Sequence, residues 1–380
     1  MTLQNYPHIV PFRNTMIERK MKMKRLFSLL VALAVLFSLA ACGNKTQPDT
    51  NPDDSGGDTM PNQEENAGTV DDTVYELKAG TVLAADSIGA GALQHWSDYV
   101  KEATDGHVII NVFPGGQLGN EKEIYEGMML GSADISFCGT AALTSWVPKY
   151  MMFDLPLLFT SMEQFNKWAA SDDPTVRAMV DELNSVGIKN YGFVNIGFYH
   201  VISNKMPFND VSKVTGMNVR TLESNAIMAL YSNAGANPVS MTFSDVYTSL
   251  QNGTVDAAAF PDATTNTSQF FQVVEYLTLL NTAPTCCPIA ISQKTLDKLP
   301  EEYRTAIEEG AKSTIQWCLD NYDKFEDDAL KVISEGGVTI IDPTEAEVQA
   351  WQDKVCQVTY DQYIPSTIDQ ATIDYVLSCA

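Results

Sequence analysis

Residues 217–241 read MNVRTLESNAIMALYSNAGANPVSM, and this stretch alternates between two hydrophobic patterns. The first part, MNVRTL, is typical of a buried strand, whereas SNAIMALYSNAG predicts a helix that ends at Gly235. The segment NPVSM then predicts a second strand. A strand, a helix and a strand in that order favour a βαβ unit, and they place Arg220 near the end of the first strand.

The same alternation extends in both directions from this unit. Upstream, strand patterns at 74–86 and 106–116 flank a helical stripe formed by Leu93, Trp96 and Val100. Downstream, TFSDVYTSLQNG predicts a helix and VDAAAF a strand. Repeated alternation of this kind predicts an α/β fold with a largely parallel sheet.

Two longer patterns complete the prediction of the fold. The run GIKNYGFVNIGFYHVISN, residues 187–204, is strand-like throughout, and we expect one long strand there. After Pro300, apolar residues recur at steps of three or four until Gly336, which predicts a helix of about 34 residues, roughly 51 Å long. Because that exceeds the width of one ordinary domain, we expect the helix to lie across two lobes or to bend.

The charge balance argues against one class of function. The 380 residues include 24 Lys and Arg against 48 Asp and Glu, a formal net charge of −24. No run rich in Lys or Arg follows residue 25, and contacts to phosphates need clustered cations, so we expect no nucleic-acid partner. An acidic chain does not steer anions towards itself, so an anionic ligand must be attracted by a local positive charge.

The N-terminal segment has the pattern of an export signal. Basic residues at 22–25 precede an apolar run from Leu26 to Leu39, which is too short to span a bilayer but suits a signal peptide. The run leads into LAAC, which resembles a bacterial lipobox and implies cleavage before Cys42 and a lipid on that residue. We therefore expect residues 1–41 to be a signal peptide and the protein to be anchored to the cell membrane by lipid.

The segment after the lipobox predicts a tether. Residues 42–73 are rich in Pro, Gly, Asn and Asp and contain almost nothing apolar, which is typical of a disordered linker. Residues 1–20 carry no organised pattern, so translation is expected to start at Met21 or Met23. An uncleaved anchor or a plain signal peptide is the alternative to the lipoprotein, and the location is either the outer face of the cytoplasmic membrane or the periplasm.

The chain lacks common catalytic motifs. It contains no G-x-S-x-G, no H-E-x-x-H and no Walker lysine motif, and neither His95 nor His107 has a Cys or a carboxylate at ligand spacing. The six cysteines after Cys42 show no metal-ligand spacing, and buried free thiols fit them at least as well as disulfides. We therefore expect no enzyme activity, no cofactor and no metal.

Arg220 is the strongest candidate for a functional residue. It follows an apolar strand and precedes a turn and a helix, which is where α/β proteins place ligand-binding groups. Its planar guanidinium binds carboxylates in bidentate fashion, and a buried arginine needs an anion. The alternative is a structural salt bridge to one of the many acids of the chain.

Four segments, in order, resemble the solute-binding receptors of TRAP (tripartite ATP-independent periplasmic) transporters. They are FPGGQLGNEKEIYEGMMLGSADISF, FDLPLLF, DVSKVTGMNVRTLES and GANPVSMTFSDVYTSLQNGTVDA, and the resemblance extends from Leu77 to about Asp342. It implies a two-lobed, periplasmic-binding-protein-like α/β fold that holds a small organic acid in the cleft between its lobes. It also implies delivery of that acid to a permease driven by an ion gradient, no catalysis, and a clamp on the ligand carboxylate by Arg220.

The resemblance implies further ligand contacts, for which ordinary turn or core packing is the alternative. Two aromatic residues and two strand-end loops provide them: Phe243, Phe260, Asp86, Ser87, Gly139 and Thr140. Many members of the family carry a second arginine where this chain has Tyr199, in GFYH. Its absence favours a ligand with one carboxylate, or with hydroxyl groups that Tyr199 or His200 binds, over a C4-dicarboxylate.

The family pattern also implies how the chain divides between the lobes. Lobe one is expected to comprise 74–197 and 286–324, and lobe two 198–285 and 325–380. A receptor of the same shape that serves an ATP-driven importer or a sensor is the main alternative, and a secreted lipoprotein enzyme is a weaker one.

Overall fold

Two β-sheets with helices packed around them make up residues 73–380, the part of the chain that the computed structural model describes. The first sheet has five strands in the order β2-β1-β3-β10-β4. Its strands are β1 (Tyr75–Gly80), β2 (Val108–Phe113), β3 (Ile135–Ser136), β4 (Ile188–Phe198) and β10 (Pro284–Ser292). The second sheet has six strands in the order β11-β9-β5-β8-β6-β7. Its strands are β5 (His200–Ser203), β6 (Asn218–Thr221), β7 (Asn237–Ser240), β8 (Ala257–Phe260), β9 (Tyr276–Thr278) and β11 (Thr339–Ile341).

Each sheet is parallel except for one strand. In the first sheet β10 runs antiparallel to β3 and β4, and in the second β5 runs antiparallel to β8 and β9. Each antiparallel strand directly follows a strand of the other sheet: β5 follows β4, and β10 follows β9. The predicted largely parallel sheet is therefore two mixed sheets, each with one antiparallel strand.

The run predicted as one long strand is two strands, and that prediction was wrong in this respect. The chain leaves the first sheet after Phe198 and enters the second at His200. Gly197 adopts φ 138°, and a Cβ there would lie 2.6 Å from a side-chain carbon of Pro261, so only glycine fits this bend. The break at Tyr199 has no signal in hydrophobicity, which is why the pattern reads as continuous.

The two connections between the sheets are hydrogen bonded to each other. The Tyr199 amide donates to the Ala283 carbonyl at 2.8 Å, and the Thr282 amide donates to the Tyr199 carbonyl at 3.0 Å. We call the segments Phe198–His200 and Thr282–Pro284 the crossing. It lies between the two sheets and brings residues from both to one place.

Eleven α-helices cover the sheets within residues 73–380. They are α1 (Ile88–Ala103), α2 (Glu121–Leu130), α3 (Met162–Ala169), α4 (Pro174–Asp181), α5 (Asn225–Ala234), α6 (Val246–Gln251), α7 (Asp262–Thr267), α8 (Gln293–Leu296), α9 (Glu301–Glu335), α10 (Glu345–Tyr363) and α11 (Gln370–Ser378). As the sequence predicts, α2 ends at Gly131 and α5 at Gly235, both in the left-handed conformation. Asn120 and Glu123 form a capping box at the start of α2.

The long helix α9 has 35 residues and spans both sheets, as predicted. Its N-terminal half packs on α1 and β4, where the Trp96 indole donates to the Ile307 carbonyl at 3.0 Å. Its C-terminal half packs on α7, where Glu326 accepts a hydrogen bond from the Ala263 amide at 3.2 Å. A helix of this length measures about 52 Å.

The C-terminal helices divide between the two sheets. Helix α10 packs against α5 beside the second sheet, and the Asn233 amide donates to Thr359 at 2.9 Å. Helix α11 returns to α3 and α4, which pack on β4 of the first sheet, and the Gln164 amide donates to the Val376 carbonyl at 3.1 Å.

The described residues contain no disulfide and no helix suited to crossing a membrane. The six cysteines within the described residues are free and buried, in agreement with the interpretation as core thiols: Cys138, Cys286, Cys287, Cys318, Cys356 and Cys379. None of the helices in 73–380 combines the length and the apolar character needed to cross a membrane.

Candidate functional site

Arg220 lies at the carboxyl end of β6, facing a cleft between the two sheets. Two adjoining small cavities share Tyr199, Arg220 and Leu222 in their walls. We call these two cavities the cleft. Arg220 is only 3% exposed and is the one basic residue that lines either cavity within the described part of the chain.

The positive charge of the Arg220 guanidinium is only weakly compensated by other groups of the protein. Its Nη2 donates to the Met241 carbonyl at 3.1 Å, and its Cζ lies 5.1 Å from the ring centroid of Phe260, a cation–π contact. Its Nε is buried without a hydrogen-bond partner, and no carboxylate within residues 73–380 lies within 4.0 Å of it. Burial lowers the pKa of Arg220, because the charged form is the one that loses water.

An aromatic wall stands beside this cation. Phe243 and Phe260 line the larger cavity and meet edge to face, with ring centroids 5.7 Å apart. Phe260 also packs on Phe270 at 4.8 Å. Tyr199 lines both cavities, and burial raises the pKa of its phenol, so it presents a neutral hydroxyl to the cleft.

Gly139 brings a carboxylate into the same cavity. Its amide donates to Oε1 of Glu121 at 3.2 Å, and both residues line the larger cavity with Arg220. Burial raises the pKa of Glu121, whereas the Gly139 amide and the Arg220 charge lower it. Glu121 is the first residue of α2, and the sequence pattern interprets it only as an acid that suits the helix dipole. The carboxylate that caps the helix is Glu123, so Glu121 is left for the cleft.

Asp154 is the second carboxylate of the cleft, and it was also missed by the sequence. It ends a 3₁₀ turn at Pro148–Asp154 in the FDLPLLF segment and lines the smaller cavity. The Ser224 hydroxyl, at the start of α5, donates to its Oδ2 at 2.5 Å, and this bond joins elements of the two sheets. Burial raises the pKa of Asp154 to about 7. The signal for both acids was their segment, since each lies in a stretch that carries the family resemblance.

The remaining predicted site residues lie outside the walls of the cleft. His200 belongs to the crossing, and its Nδ1 and Nε2 bond to Asp262 at 2.8 Å and Asn281 at 2.5 Å. Asp86 is exposed, and Ser87 caps α1 by accepting from the Ala90 amide at 3.2 Å.

Thr140 and Cys42, the last two predicted residues, are not among the described residues that line the cleft. Thr140 is buried at the start of a 3₁₀ turn. The loop that contains Asp86 contributes Val82 and Leu83 to the cavity wall in place of its polar residues. Cys42, the predicted lipid site, lies outside the described residues.

Comparison with known proteins identifies a family over most of the globular part. Residues 79–366 match the family described as bacterial extracellular solute-binding protein, family 7. The chain is 26% identical to the 2,3-diketo-L-gulonate-binding periplasmic protein YiaO of Escherichia coli over 278 residues, which cover 72% of this chain and 82% of that protein.

Two solved structures show the same architecture. One is the sugar acid binding protein of Advenella mimigardefordensis in complex with galactonate, with a TM-score of 0.77 and 25% identity over 81% of this chain and 98% of that one. The other is a TRAP periplasmic solute binding protein of Sulfurospirillum deleyianum with bound succinate, with a TM-score of 0.77 and 27% identity over 81% and 100% of the two chains. The two-lobed fold expected from the sequence is therefore confirmed.

Proposed function

Because the chain belongs to the bacterial extracellular solute-binding protein family 7, we propose that it captures a small organic acid outside the cytoplasm, clamps the carboxylate with Arg220 and delivers it to a TRAP-type permease. The observation that carries this proposal is the buried guanidinium of Arg220, which has a free Nε and no carboxylate partner among residues 73–380. A buried cation without a counter-ion is costly, and a ligand carboxylate relieves that cost.

The relatives support a carboxylate as the group that is recognised. The bound molecules of the two solved structures are galactonate and succinate, and the Escherichia coli relative is named for 2,3-diketo-L-gulonate. These ligands differ in size and hydroxyl content and share a carboxylate. We infer that Arg220 serves this common group and that the rest of the cleft selects among acids.

The lining of the cleft favours a single carboxylate on the ligand. Tyr199 stands where many members of the family have a second arginine, so Arg220 is the sole cation of the walls described here. A second carboxylate would lie beside Glu121 or Asp154 without a cation of its own. The aromatic wall accommodates the apolar part of such a ligand.

The lobes are proposed to close around the ligand by rotation at the crossing. The membership of the two sheets supports a lobe one made of 74–197 and 286–324 and a lobe two made of 198–285 and 325–380. The exception is α11, which follows lobe two in the sequence but packs on α3 and α4 of lobe one. Closure of this kind is favoured because the anion gains contacts from both lobes only in the closed form. We further propose that the protein has no catalytic activity and is held at the membrane by a lipid on Cys42.

The proposed function is tested by thermal-shift screening of the purified protein against organic acids, followed by titration calorimetry. A ligand at 100 times its Kd raises the free energy of unfolding by about 2.7 kcal/mol, which a thermal shift detects. A cleft that closes around one charge-assisted pair and several hydrogen bonds is expected to reach a micromolar Kd, about −8 kcal/mol.

Arg220→Ala is expected to weaken the binding of that acid by about 2–5 kcal/mol, because it leaves the ligand carboxylate desolvated and unpaired. Arg177→Ala is the matched control, since Arg177 is an exposed arginine whose carboxylate partner, Asp172, is at 2.7 Å. A loss smaller than about tenfold for Arg220→Ala, or an equal loss for Arg177→Ala, would contradict the clamp.

A further inference from the structure

The walls of the cleft contain more acids than cations. Among the described residues that line the two cavities, Arg220 is the only cation, Glu121 lies in the larger cavity and Asp154 in the smaller. Arg220 and Asp154 are 3% and 2% exposed, so water screens neither charge well. With both acids ionised, the walls carry one positive and two negative charges, and a ligand carboxylate adds a third negative charge.

The other titratable groups around Asp154 do not change this balance. Tyr199 and Tyr231 line the smaller cavity with it, and the thiol of Cys286 lies within reach of its charge. Burial raises the pKa of all three groups, so each holds its proton at pH 7 and stays neutral. On α10, the Tyr360 hydroxyl donates to a backbone carbonyl at 2.8 Å. The charge of the cleft walls is therefore set by the guanidinium and the two carboxyl groups.

The charged side chains of the neighbouring elements have partners of their own. On the 3₁₀ turn that ends at Asp154, Lys149 forms an ion pair with Glu182. In the crossing, Nδ1 of His200 bonds to Asp262 at 2.8 Å. Within the part of the chain that the structure describes, neither Lys149 nor His200 lines the cleft, so neither balances a carboxylate that enters there.

Of the two acids, Asp154 is the less compensated. Glu121 accepts from the Gly139 amide at 3.2 Å, and both that amide and the Arg220 charge lower its pKa against the effect of burial. Asp154 accepts from the Ser224 hydroxyl at 2.5 Å, and no cation of residues 73–380 forms an ion pair with it. Burial raises the pKa of Asp154 to about 7, although the Ser224 hydroxyl lowers it. Asp154 is therefore the acid that takes up a proton first when negative charge enters the cleft.

Ser224 holds the carboxyl group of Asp154 in place in both of its protonation states. It occupies the N-cap position of α5, where a serine normally accepts a hydrogen bond from the first turn of its helix. Its hydroxyl makes no such bond and donates to Oδ2 of Asp154 instead. A hydroxyl donates equally to a carboxylate and to the carbonyl oxygen of a carboxylic acid, so this contact survives protonation at Oδ1.

We infer that the binding of a ligand carboxylate to Arg220 draws one proton from solvent onto Asp154, so that the receptor binds its acid together with a proton. The proton comes from the buffer and adds to Oδ1 of Asp154, and no bond of the ligand forms or breaks. Protonation leaves the ligand carboxylate with the guanidinium and one negative charge, that of Glu121, in place of two. This inference rests on the proposed function and adds to it a coupling between affinity and pH.

The coupling has a sign and a pH window. Below about pH 6, Asp154 is protonated before the ligand arrives, because its pKa is about 7, so binding takes up no proton and Kd is constant. Above about pH 7, Asp154 is ionised in the unliganded protein and each ligand brings up to one proton with it. Kd should then rise by up to about tenfold for each pH unit.

Titration calorimetry counts these protons directly. Lactate, pyruvate, gluconate, galactonate and succinate are screened by thermal shift on the purified protein, and the acid with the largest shift is titrated at pH 5.5 and pH 7.5. At each pH, two carboxylate-free buffers with different ionisation enthalpies are used, so the difference in observed heat gives the number of protons taken up. We expect at least about half a proton per ligand at pH 7.5 and less than about 0.2 at pH 5.5.

Asp154→Asn distinguishes proton coupling from a purely structural role. Asparagine keeps an acceptor for Ser224 but carries no charge, so this variant should take up no proton and keep one Kd from pH 5.5 to 8.5. It should also bind more tightly than the wild type at pH 8.5, whereas loss of a structural residue would weaken binding at every pH. Glu121→Gln, whatever its Kd, and the exposed Asp172→Asn should retain the proton uptake at pH 7.5.

Ser224→Ala gives a second test that keeps the carboxyl group. Removing the hydroxyl raises the pKa of Asp154 further, because the hydrogen bond favours the carboxylate. Proton uptake at pH 7.5 should therefore fall, and the pH at which uptake is half-maximal should move upwards. An unchanged pH profile in this variant contradicts the assignment to Asp154.

Failure of the inference is distinguishable from failure of the proposed function. Tight binding by the wild type without proton uptake at pH 7.5, or uptake that persists in Asp154→Asn, overturns the inference and leaves the proposed function standing. If none of the five acids stabilises the wild-type protein, the proposed function fails and the inference fails with it.

Discussion

The cleft and the crossing both bury charged side chains between the same two sheets, but they treat those charges differently. At the crossing, His200 bonds to Asp262 and Asn281, and Glu326 accepts from the Ala263 amide. We call His200, Asp262, Asn281 and Glu326 the crossing cluster. In the cleft, Arg220 leaves its Nε without a partner and has no carboxylate within 4.0 Å among the described residues.

This difference is the basis on which we propose a structural role for His200 and a ligand-binding role for Arg220. A buried charge whose partners lie in the chain contributes to the stability of the unliganded fold, whereas a buried charge without them has an unmet requirement that a ligand supplies. Sequence position does not distinguish a residue of the crossing cluster from a residue of the cleft, since His200 and Tyr199 are adjacent and only Tyr199 lines the cleft. The hydrogen-bond and charge partners of each side chain do distinguish them.

The largest effect is expected from removing a charge at the crossing. Asp262→Ala should lower the free energy of unfolding of the unliganded protein by about 3–5 kcal/mol, because His200 loses its buried counter-charge and must either remain an unpaired cation or release its proton. Arg220→Met, by contrast, should leave that free energy unchanged or raise it. Urea unfolding measures both, with Asp172→Ala as the exposed control. The comparison breaks if Arg220→Met destabilises the protein as much as Asp262→Ala.

A smaller effect is expected from pH. Burial lowers the pKa of His200, but the charge and hydrogen bond of Asp262, together with Glu326 and Asn281, outweigh burial and raise the pKa from 6.5 to about 9. A raised folded-state pKa contributes stability that is complete below about pH 6.5 and is lost as the pH rises through 9. We expect up to about 3 kcal/mol of the free energy of unfolding to disappear over that interval.

Two buried acids with raised pKa values also make stability fall as the pH rises. A substitution of His200 separates its contribution from theirs. Burial raises the pKa of Asp154 to about 7, so its contribution is lost mainly between pH 4 and 7, and burial also raises the pKa of Glu326. The stability of the wild type should therefore fall from mildly acidic to alkaline pH. His200→Gln should show a smaller fall between pH 6.5 and 9, as measured by urea unfolding at each pH. An equal fall in both proteins would place the pH dependence elsewhere.

The smallest effect is expected at the mouth of the cleft. Lys122 and Glu223 come from the two sides of the cleft and form an ion pair of 3.6 Å, with side chains 46% and 72% exposed. Such pairs contribute at most about 1 kcal/mol, because water screens them. Lys122→Ala should therefore weaken ligand binding less than about fivefold in calorimetry. A loss comparable with that of Arg220→Ala would mean that the binding cation lies at the mouth.

The sequence predicted the secondary-structure elements and the strand-end position of Arg220 better than it predicted which side chains lie near Arg220. The alternation of strands and helices, the long helix and the position of Arg220 at a strand end follow from local patterns. The break at Tyr199 and the reversed strands do not, because both depend on which sheet a strand joins. Glu121 and Asp154 were missed because one acid among 48 Asp and Glu carries no local mark of its surroundings.

The place of β10 in the first sheet has a consequence for how the chain acquires its structure. Strand β10 lies between β3 and β4, so this sheet is incomplete until Pro284–Ser292 has been made, long after Phe198. No single cut in the sequence yields two halves that each contain a finished sheet. The receptor is therefore a single folding unit with two lobes, and its early segments must wait during synthesis and export for a strand that arrives late.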